Sequence, residues 1–309
     1  MDILKYMEME LTIMRCISIK AYAKINLTLD VVSRREDGYH NVEMIMQSVD
    51  LWDLITIKEM GEGIRLDSNI PGLPTDEGNI AWRAAQLIKS KFDIPIGIHI
   101  TIDKNIPIEA GLAGGSADCA AVLSGLNQLW NLRMDIKDLQ ALGKELGADV
   151  PFCLSGGTAL AQGIGDMLTP IESKEEMWLV IIKPEFGVST KEIYSRLKLE
   201  AIEKRPHNPK VIMYLESGDI QGIASSLVNV MEEITIPMHP DISRLKADLK
   251  AQGALGALMS GSGPSVYGIF PSGEAARAAA KLLKGKYSQV FVTKTMPWGL
   301  ALAKPGSSL

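Results

Sequence analysis

Several short stretches of this 309-residue chain carry residue types able to do chemistry. The richest is Pro107-Ile108-Glu109-Ala110-Gly111-Leu112-Ala113-Gly114-Gly115-Ser116-Ala117. Gly111, Gly114 and Gly115 lack Cβ atoms, so the backbone can turn sharply and come close to a ligand. A helix starting at the end of such a loop offers unpaired N–H groups at the positive end of its dipole. That combination suits a polyphosphate. The glycine spacing does not fit G-x-G-x-x-G, and no Gly-Lys-Ser/Thr follows, which counts against a dinucleotide fingerprint and a P-loop. A second reading stays open: with Ala113, Ala117, Ala120 and Ala121 the same run suits a helix packed tightly through small side chains.

Lys24 and Asn26 project from the same side of a segment whose odd positions, from Ile17 to Val31, are all apolar. The period of two predicts a strand. Its other side also carries Tyr22 and Thr28, so it is polar without being a run of charge, and Lys24 reads either as a solvated lysine or as a ligand-facing one. Asp149, in Gly147-Ala148-Asp149-Val150-Pro151-Phe152, stands just before a short helical turn opened by Pro151. It reads as an ordinary helix cap or as a functional carboxylate. Asp37-Gly38-Tyr39-His40 is a turn signal. Ser260-Gly261-Ser262-Gly263-Pro264-Ser265 is a tight turn or a second anion nest.

Regular elements must hold these groups. Ile96, Ile98, Ile100 and Ile102 alternate with polar residues and predict a strand leading into the glycine-rich loop; Asp118 to Trp130 has helical spacing after it. Val42–Val49 and Leu54–Ile57 read as strands. Asn79 caps a helix with Ile80, Ala84, Leu87 and Ile88 on one face. Asp135 caps another, with Ile136, Leu139, Leu142 and Leu146 inward and Gly147 at its end. Thr158 to Ile171 reads as two strands joined at Gly163-Ile164-Gly165-Asp166. Further on come a strand at Trp178–Ile182, a helix at Thr190–Leu197 with Ser189 or Thr190 as cap, a loop at Pro206–Pro209, and a helix at Pro240–Gln252. The chain closes with a strand at Val266–Phe270, a helix at Glu274–Leu283 and a strand at Val290–Thr295. The mixture without strict alternation predicts α+β layers. Length suggests two domains, divided as residues 1–171 and 172–309.

The composition, 46% apolar and 22% charged, is that of a globular chain with ample core material. A net charge of −5 argues against a nucleic-acid or anionic-membrane surface. Cys16, Cys119 and Cys153 show no C-x-x-C spacing and fit small buried packers in a reducing cytoplasm. His40, His99, His207 and His239 show no metal-ligand spacing. The N-terminus, with Asp2, Glu8 and Glu10, is a poor signal peptide, and no apolar run is long enough to span a bilayer. Residues before Met14 lack a clear period and read either as an extension or as residues ahead of a true start at Met14.

The Ala23-Lys24-Ile25-Asn26 and Asp37-Gly38-Tyr39-His40 stretches, the Pro107–Ala117 loop, Gly147–Phe152 and Ser260–Ser265 come in an order that resembles the GHMP kinases. The resemblance runs from about Ile17 to Thr295. The glycine-rich loop alone points only to the superfamily; the first, second and fourth motifs are similar to its branch acting on a cytidine diphosphate derivative of methylerythritol. The resemblance implies a ribosomal-protein-S5-like N-terminal domain, a ferredoxin-like C-terminal domain and an active site between them. It implies ATP as phosphoryl donor and a small-molecule alcohol as acceptor. On it, Lys24 and Asp149 match the catalytic pair. Amides from Ala110 to Ser116 would hold the donor phosphates, within a nucleotide loop spanning Pro107, Ile108, Glu109, Ala110, Gly111, Leu112, Ala113, Gly114, Gly115, Ser116 and Ala117. Lys104, Asn79 and Ile80 match positions near the nucleotide. Asn26, Tyr39, His40, Thr190 and Tyr194 match positions lining the acceptor site.

Other members of the superfamily hold Mg²⁺ with a separate acidic residue. No counterpart stands out here, although Glu109 lies in the loop and Ser116 offers a hydroxyl, so the metal ligands stay unassigned and Mg²⁺ is expected to travel with ATP. Phosphoryl transfer needs in-line placement, charge stabilisation and a proton acceptor; Asp149 is the motif carboxylate suited to the last. The rival readings are another small-molecule kinase of the homoserine or mevalonate type, a non-catalytic nucleotide sensor, and a purely structural or interaction protein. A sensor would need neither Lys24 nor Asp149, and a structural protein would have no reason to pair Lys24 with Asn26.

Overall fold

The computed structural model describes residues 15–303; the two readings of the segment before Met14 lie outside the described residues. The first half is built on a long hairpin of β1 (Cys16–Arg34) and β2 (His40–Met60), turned at Asp37-Gly38 with Gly38 at φ 85°. Val42–Val49 and Leu54–Ile57 are thus parts of one continuous strand. Then follow β3 (Ile64–Ser68), α1 (Ile80–Lys91), β4 (Gly97–Asp103), α2 (Gly114–Leu129), α3 (Ile136–Leu146), α4 (Val150–Ser155), β5 (Thr158–Gln162) and β6 (Met167–Ile171). β3 has no counterpart in the expected set; it pairs parallel with β4.

The second half contains β7 (Trp178–Lys183), α5 (Thr190–Arg196), α6 (Asn208–Ser217), α7 (Ile220–Ser225), β8 (Val228–Asn229), α8 (Glu232–Met238), α9 (Asp241–Ala251), β9 (Gly256–Met259), β10 (Val266–Phe270), α10 (Gly273–Leu283), β11 (Gln289–Lys294) and β12 (Leu300–Leu302). Its own sheet runs β11-β7-β10-β9, every neighbour antiparallel. With α9 ahead of β9 and α10 between β10 and β11, this is the strand order expected of a ferredoxin-like unit. Pro209 stands inside the first turn of α6 rather than in a loop, where its missing N–H costs nothing.

The halves are interleaved. β12 returns to pair with β1, and β8 adds to β1 in parallel, so the first sheet holds strands from both ends of the chain.

One irregularity in β1 governs the site. Odd positions are buried from Ile19 to Val31, as expected, but they do not all share a face. Asn26 pairs with Met46 and Thr28 with Ile45, leaving Leu27 without a partner as a β-bulge. One extra residue exchanges the faces of everything beyond it. Ile19, Ala21, Ala23, Ile25 and Leu27 therefore pack in the core beneath α1 and α2, whereas Leu29 and Val31 join the core of the second half. Thr28 leaves the face of Lys24 and Asn26; its hydroxyl donates to Asn208 Oδ1 (2.6 Å) and accepts from the Ile45 N–H.

Smaller departures have local causes. β4 begins at Gly97, not Ile96: a Cβ at 97 would run into the Glu62 backbone, and Ile96 is exposed. Ile136 stands exposed at the start of α3, while Leu139 and Leu142 are buried; the Asp135 cap is a full capping box. Cys119 and Cys153 are buried, with burial raising both thiols, but Cys16 is exposed at the start of β1.

Candidate active site

A cleft of about 1110 Å³ lies where the hairpin, the glycine-rich loop, α4 and α5 meet. Of the residues expected at the site, Lys24, Tyr39, His40, Asn79, Ile80, Lys104, Pro107 to Ser116, Asp149, Thr190 and Tyr194 line it. Asn26 and Ala117 are fully buried and do not.

The loop is shaped by its backbone more than by its glycines. Glu109, Gly111 and Ala113 all have positive φ, at 50°, 74° and 57°. Left-handed residues at alternate positions turn successive N–H groups toward one side, the geometry of an anion nest. For Glu109 and Ala113 that conformation costs on the order of 1–2 kcal/mol each. α2 begins at Gly114, four residues earlier than its spacing suggested, and its cap Ala113 offers no side-chain acceptor. The N–H groups of Gly114, Gly115 and Ser116 have no intrahelical partner, so a ligand oxygen can accept from them. The Ser260–Ser265 turn braces this loop from behind. Ser260 Oγ donates to the Gly111 carbonyl (2.9 Å), the Ser265 N–H to the Ala110 carbonyl (3.3 Å), and a Cβ at Gly111 would strike the Ser260 carbonyl oxygen.

Lys24 Nζ donates to Asn26 Oδ1 (2.8 Å), and Asn26 Nδ2 reaches Met44 Sδ at 3.1 Å. Asn26 therefore orients the lysine from below. Lys24 Nζ stands 3.7 Å from Asp149 Oδ2. Asp149 is helical at the start of α4 and makes no cap hydrogen bond, so its carboxylate is not spent on the helix.

Lys104 lines the cleft but is already occupied: Nζ donates to Asp53 Oδ2 (2.6 Å) and Asp118 Oδ2 (2.8 Å). Burial alone would lower the Lys104 ammonium, but Asp118 and Asp53 outweigh it and hold it above its ordinary value. Asn79 caps α1 through the Ala81 N–H.

At the other end, the His40 ring lies against that of Tyr194, 5.1 Å between centroids and tilted by 34°. Tyr39, at the hairpin tip, is 62% exposed. Burial, and then Arg34, hold His40 below its ordinary value; burial raises the Tyr194 phenol. Thr190 Oγ1 and Ser262 Oγ are 2.8 Å apart and tie α5 to the serine-glycine turn.

Arg34, Lys191 and Ser195 also line the cleft, and sequence reasoning did not single them out. Lys191 and Ser195 flank the expected Thr190 and Tyr194 along α5. Asp53 had no local signal, since its partner Lys104 is far along the chain. The arrangement offers a polyphosphate nest, a carboxylate and ammonium beside it, and a partly aromatic recess beyond.

Residues 79–157 match the GHMP kinases N terminal domain, and residues 212–289 match GHMP kinases C terminal. The chain is 47% identical to a 4-diphosphocytidyl-2-C-methyl-D-erythritol kinase of Alkaliphilus metalliredigens, covering 91% of this chain and 97% of the relative. It is 48% identical to the protein of that name from Clostridioides difficile, covering 93% and 97%. A crystal structure of 4-(cytidine 5'-diphospho)-2C-methyl-D-erythritol kinase superposes with a TM-score of 0.79 at 31% identity, covering 90% of this chain and 99% of that one. With both domains matched and this identity held along nearly the whole length of its relatives, the chain belongs to the GHMP kinases, in the 4-diphosphocytidyl-2-C-methyl-D-erythritol kinase family.

Proposed function

We propose that the chain transfers the terminal phosphoryl group of ATP to the 2-hydroxyl of 4-diphosphocytidyl-2-C-methyl-D-erythritol, a step of non-mevalonate isoprenoid precursor synthesis. The observation that carries the chemistry is the uncapped Asp149 carboxylate 3.7 Å from Lys24 Nζ, in the same cleft as the loop amides.

The loop amides from Ala110 to Ser116 hold the phosphates of the donor. Asp149 accepts the proton of the attacking hydroxyl as its oxygen bonds to the γ-phosphorus and the bond to ADP breaks. Lys24, fixed by Asn26, offsets the charge on the moving phosphoryl group. Tyr39, His40, Thr190 and Tyr194 bind the acceptor. Asn26 acts through Lys24, since it does not reach the cleft. Mg²⁺ arriving with ATP would supply charge neutralisation for the phosphates. Ser116 Oγ, in the first turn of α2, is the side-chain oxygen best placed in the loop to join it, because the Glu109 carboxylate is turned against Gly187. Among the described residues no three His, Cys, Asp or Glu side chains cluster as a metal cage.

The division at residues 1–171 and 172–309 goes with this reading and falls between β6 and β7. A cytoplasmic location, ATP and a small-molecule alcohol as partners, and no nucleic-acid or membrane partner also go with it. No helix among the described residues is long and apolar enough to cross a membrane, and the net charge of −5 disfavours nucleic acid. The test is a coupled ADP-release assay with the cytidyl alcohol, mevalonate and homoserine. Turnover with the cytidyl alcohol alone is expected; turnover with either of the others instead would overturn the assignment.

A further inference from the structure

We propose that Lys104 is a strut under the phosphate loop rather than a contact to the nucleotide, and that Asp53 and Asp118 are the positioning residues that hold it. This rests on the reading of the loop as the ATP site.

Asp53 is fully buried in β2. Its Oδ1 accepts the N–H groups of Asn105 (2.6 Å) and Ile106 (2.8 Å), the residues leading into Pro107. Its Oδ2 accepts from Lys104 Nζ. The same ammonium donates to Asp118, in the second turn of α2, on the far side of the loop. One carboxylate thus fixes the backbone entering the loop and, through one ammonium, the helix leaving it. The position of the ammonium matters too. A Cβ added at Gly114 would sit 3.1 Å from Lys104 Nζ and 3.0 Å from Ile106 Cγ2. Lys104 therefore lies directly against the first helical residue, which lines the cleft.

The charge arithmetic points the same way. Two acidic side chains already occupy the single ammonium; burial raises the Asp118 carboxyl well above its ordinary value even against the pull of Lys104, and Asp53 adds to that rise, so the ammonium is engaged by this pair and not directed at a phosphate. Among the described residues Asp118 Oδ1 has no hydrogen-bond partner, and Lys104 Nζ is the donor to its Oδ2. Removing Lys104 leaves the buried Asp118 side chain without its donor at the base of the helix, a change that disrupts its surroundings. The left-handed Glu109 and Ala113 need such an external hold to stay in the conformation that aims the loop amides.

The two roles for Lys104 differ in sign. Asn at position 53 can still accept both amide N–H groups, but its own NH₂ then faces the ammonium. A strut is weakened by that change, whereas a nucleotide contact is released toward the phosphates. Calorimetry with a non-hydrolysable ATP analogue reads the difference without turnover, so failure of the kinase assay and failure of the strut are separate results. Asp53→Asn is expected to raise Kd for the analogue at least about fivefold and to move Kd for the cytidyl alcohol by less than about twofold. Unchanged or tighter analogue binding overturns the proposal. Lys104→Met is expected to weaken analogue binding about tenfold or more, and Lys104→Met/Asp118→Asn, which removes the buried acid but leaves the loop without its strut, to stay at least about fivefold weaker than the parent. A double variant that binds the analogue as tightly as the parent shows that the Lys104–Asp118 link does not hold the loop and overturns the strut. Should Lys104→Met fail to fold, Asp53→Asn and the double variant decide the matter.

Discussion

Lys24 Nζ lies 3.7 Å from Asp149 Oδ2, close enough for strong attraction and too far for a direct hydrogen bond. The two residues are held independently. Lys24 is on a buried strand with its ammonium tied to Asn26, its side chain only 5% exposed. Asp149 stands at a helix start with 29% of its side chain open to the cleft and no cap bond to satisfy. The gap is therefore a property of the scaffold, and it leaves the carboxylate free to accept a hydrogen bond from an incoming hydroxyl.

Asp149→Asn is expected to lower kcat by about 10²–10⁴-fold, the usual span for a general base. KM for ATP should change little, and the melting temperature should stay near that of the parent, because Asp149 makes no cap bond to α4. Steady-state kinetics with a thermal unfolding curve check this. Near-normal turnover in a folded variant would remove Asp149 from proton transfer.

Lys24→Met should lose kcat more than ATP affinity, since its proposed role is to offset charge on the moving phosphoryl group. Asn26→Ala should give a milder loss of the same kind, because Asn26 orients Lys24 without reaching the cleft. A rise in KM for ATP at constant kcat in the Lys24 variant would make it a uniform binding contact instead.

The groups proposed to do chemistry were legible in the sequence because each sits in a short contiguous motif. The loop, Lys24 and Asp149 needed no knowledge of the fold to be noticed. What stayed hidden depends on geometry that residue types do not encode. The bulge at Leu27 leaves the apolar residues on odd numbers throughout, so an unbroken period conceals an exchange of faces. Glu109 and Ala113 adopt a conformation for which only glycine is a reliable marker. Asp53 and Lys104 meet through the pairing of β2 with β4, and no local pattern announces a partner from another strand. The return of β12 to β1 likewise has no signal in three residues read alone.

Gly111→Ala is expected to weaken ATP binding and lower the melting temperature together. Gly111 has φ 74°, and a Cβ there would strike the Ser260 carbonyl oxygen, so the change strains the backbone and pushes apart the two loops. Gly38→Ala, also at positive φ but with nothing within 4 Å of a new Cβ, should cost less, on the order of 1 kcal/mol. Equal destabilisation by both changes would show that backbone strain alone matters and that the Ser260 brace does not.

His40 titrates below its ordinary value, because burial and the Arg34 charge disfavour the imidazolium. The unfolded chain therefore takes up this proton first. The contribution of neutral His40 is complete above about pH 6.5 and is lost as pH falls from there through the lower folded-state value. His40→Gln should shrink the fall in melting temperature between about pH 7 and pH 5.5. An identical pH profile for parent and variant would mean that the His40 shift has no energetic weight.

The acceptor carries a flat cytosine ring, and the recess offers three rings to receive it. Two of these, His40 and Tyr194, already lie against each other at 5.1 Å, so a base does not slot between them. Tyr39 is the unpaired ring. It projects from the hairpin tip, 62% exposed, while the Asp37 carboxylate holds its backbone N–H at 3.1 Å. A large aromatic surface left in water at the mouth of a cleft gains most from a ligand that covers it. Stacking on such a ring is worth roughly 1–3 kcal/mol per base in nucleic-acid systems. Tyr39→Ala should therefore raise KM for the cytidyl alcohol at least about tenfold and leave KM for ATP nearly unchanged. Tyr194→Ala should do the same more mildly, since Tyr194 supports His40. Tyr39→Phe should be tolerated, because the ring is kept and the hydroxyl stands in solvent. Saturation curves for both substrates decide it: equal effects of Tyr39→Ala on ATP and on the acceptor would assign Tyr39 to the hairpin fold rather than to the base.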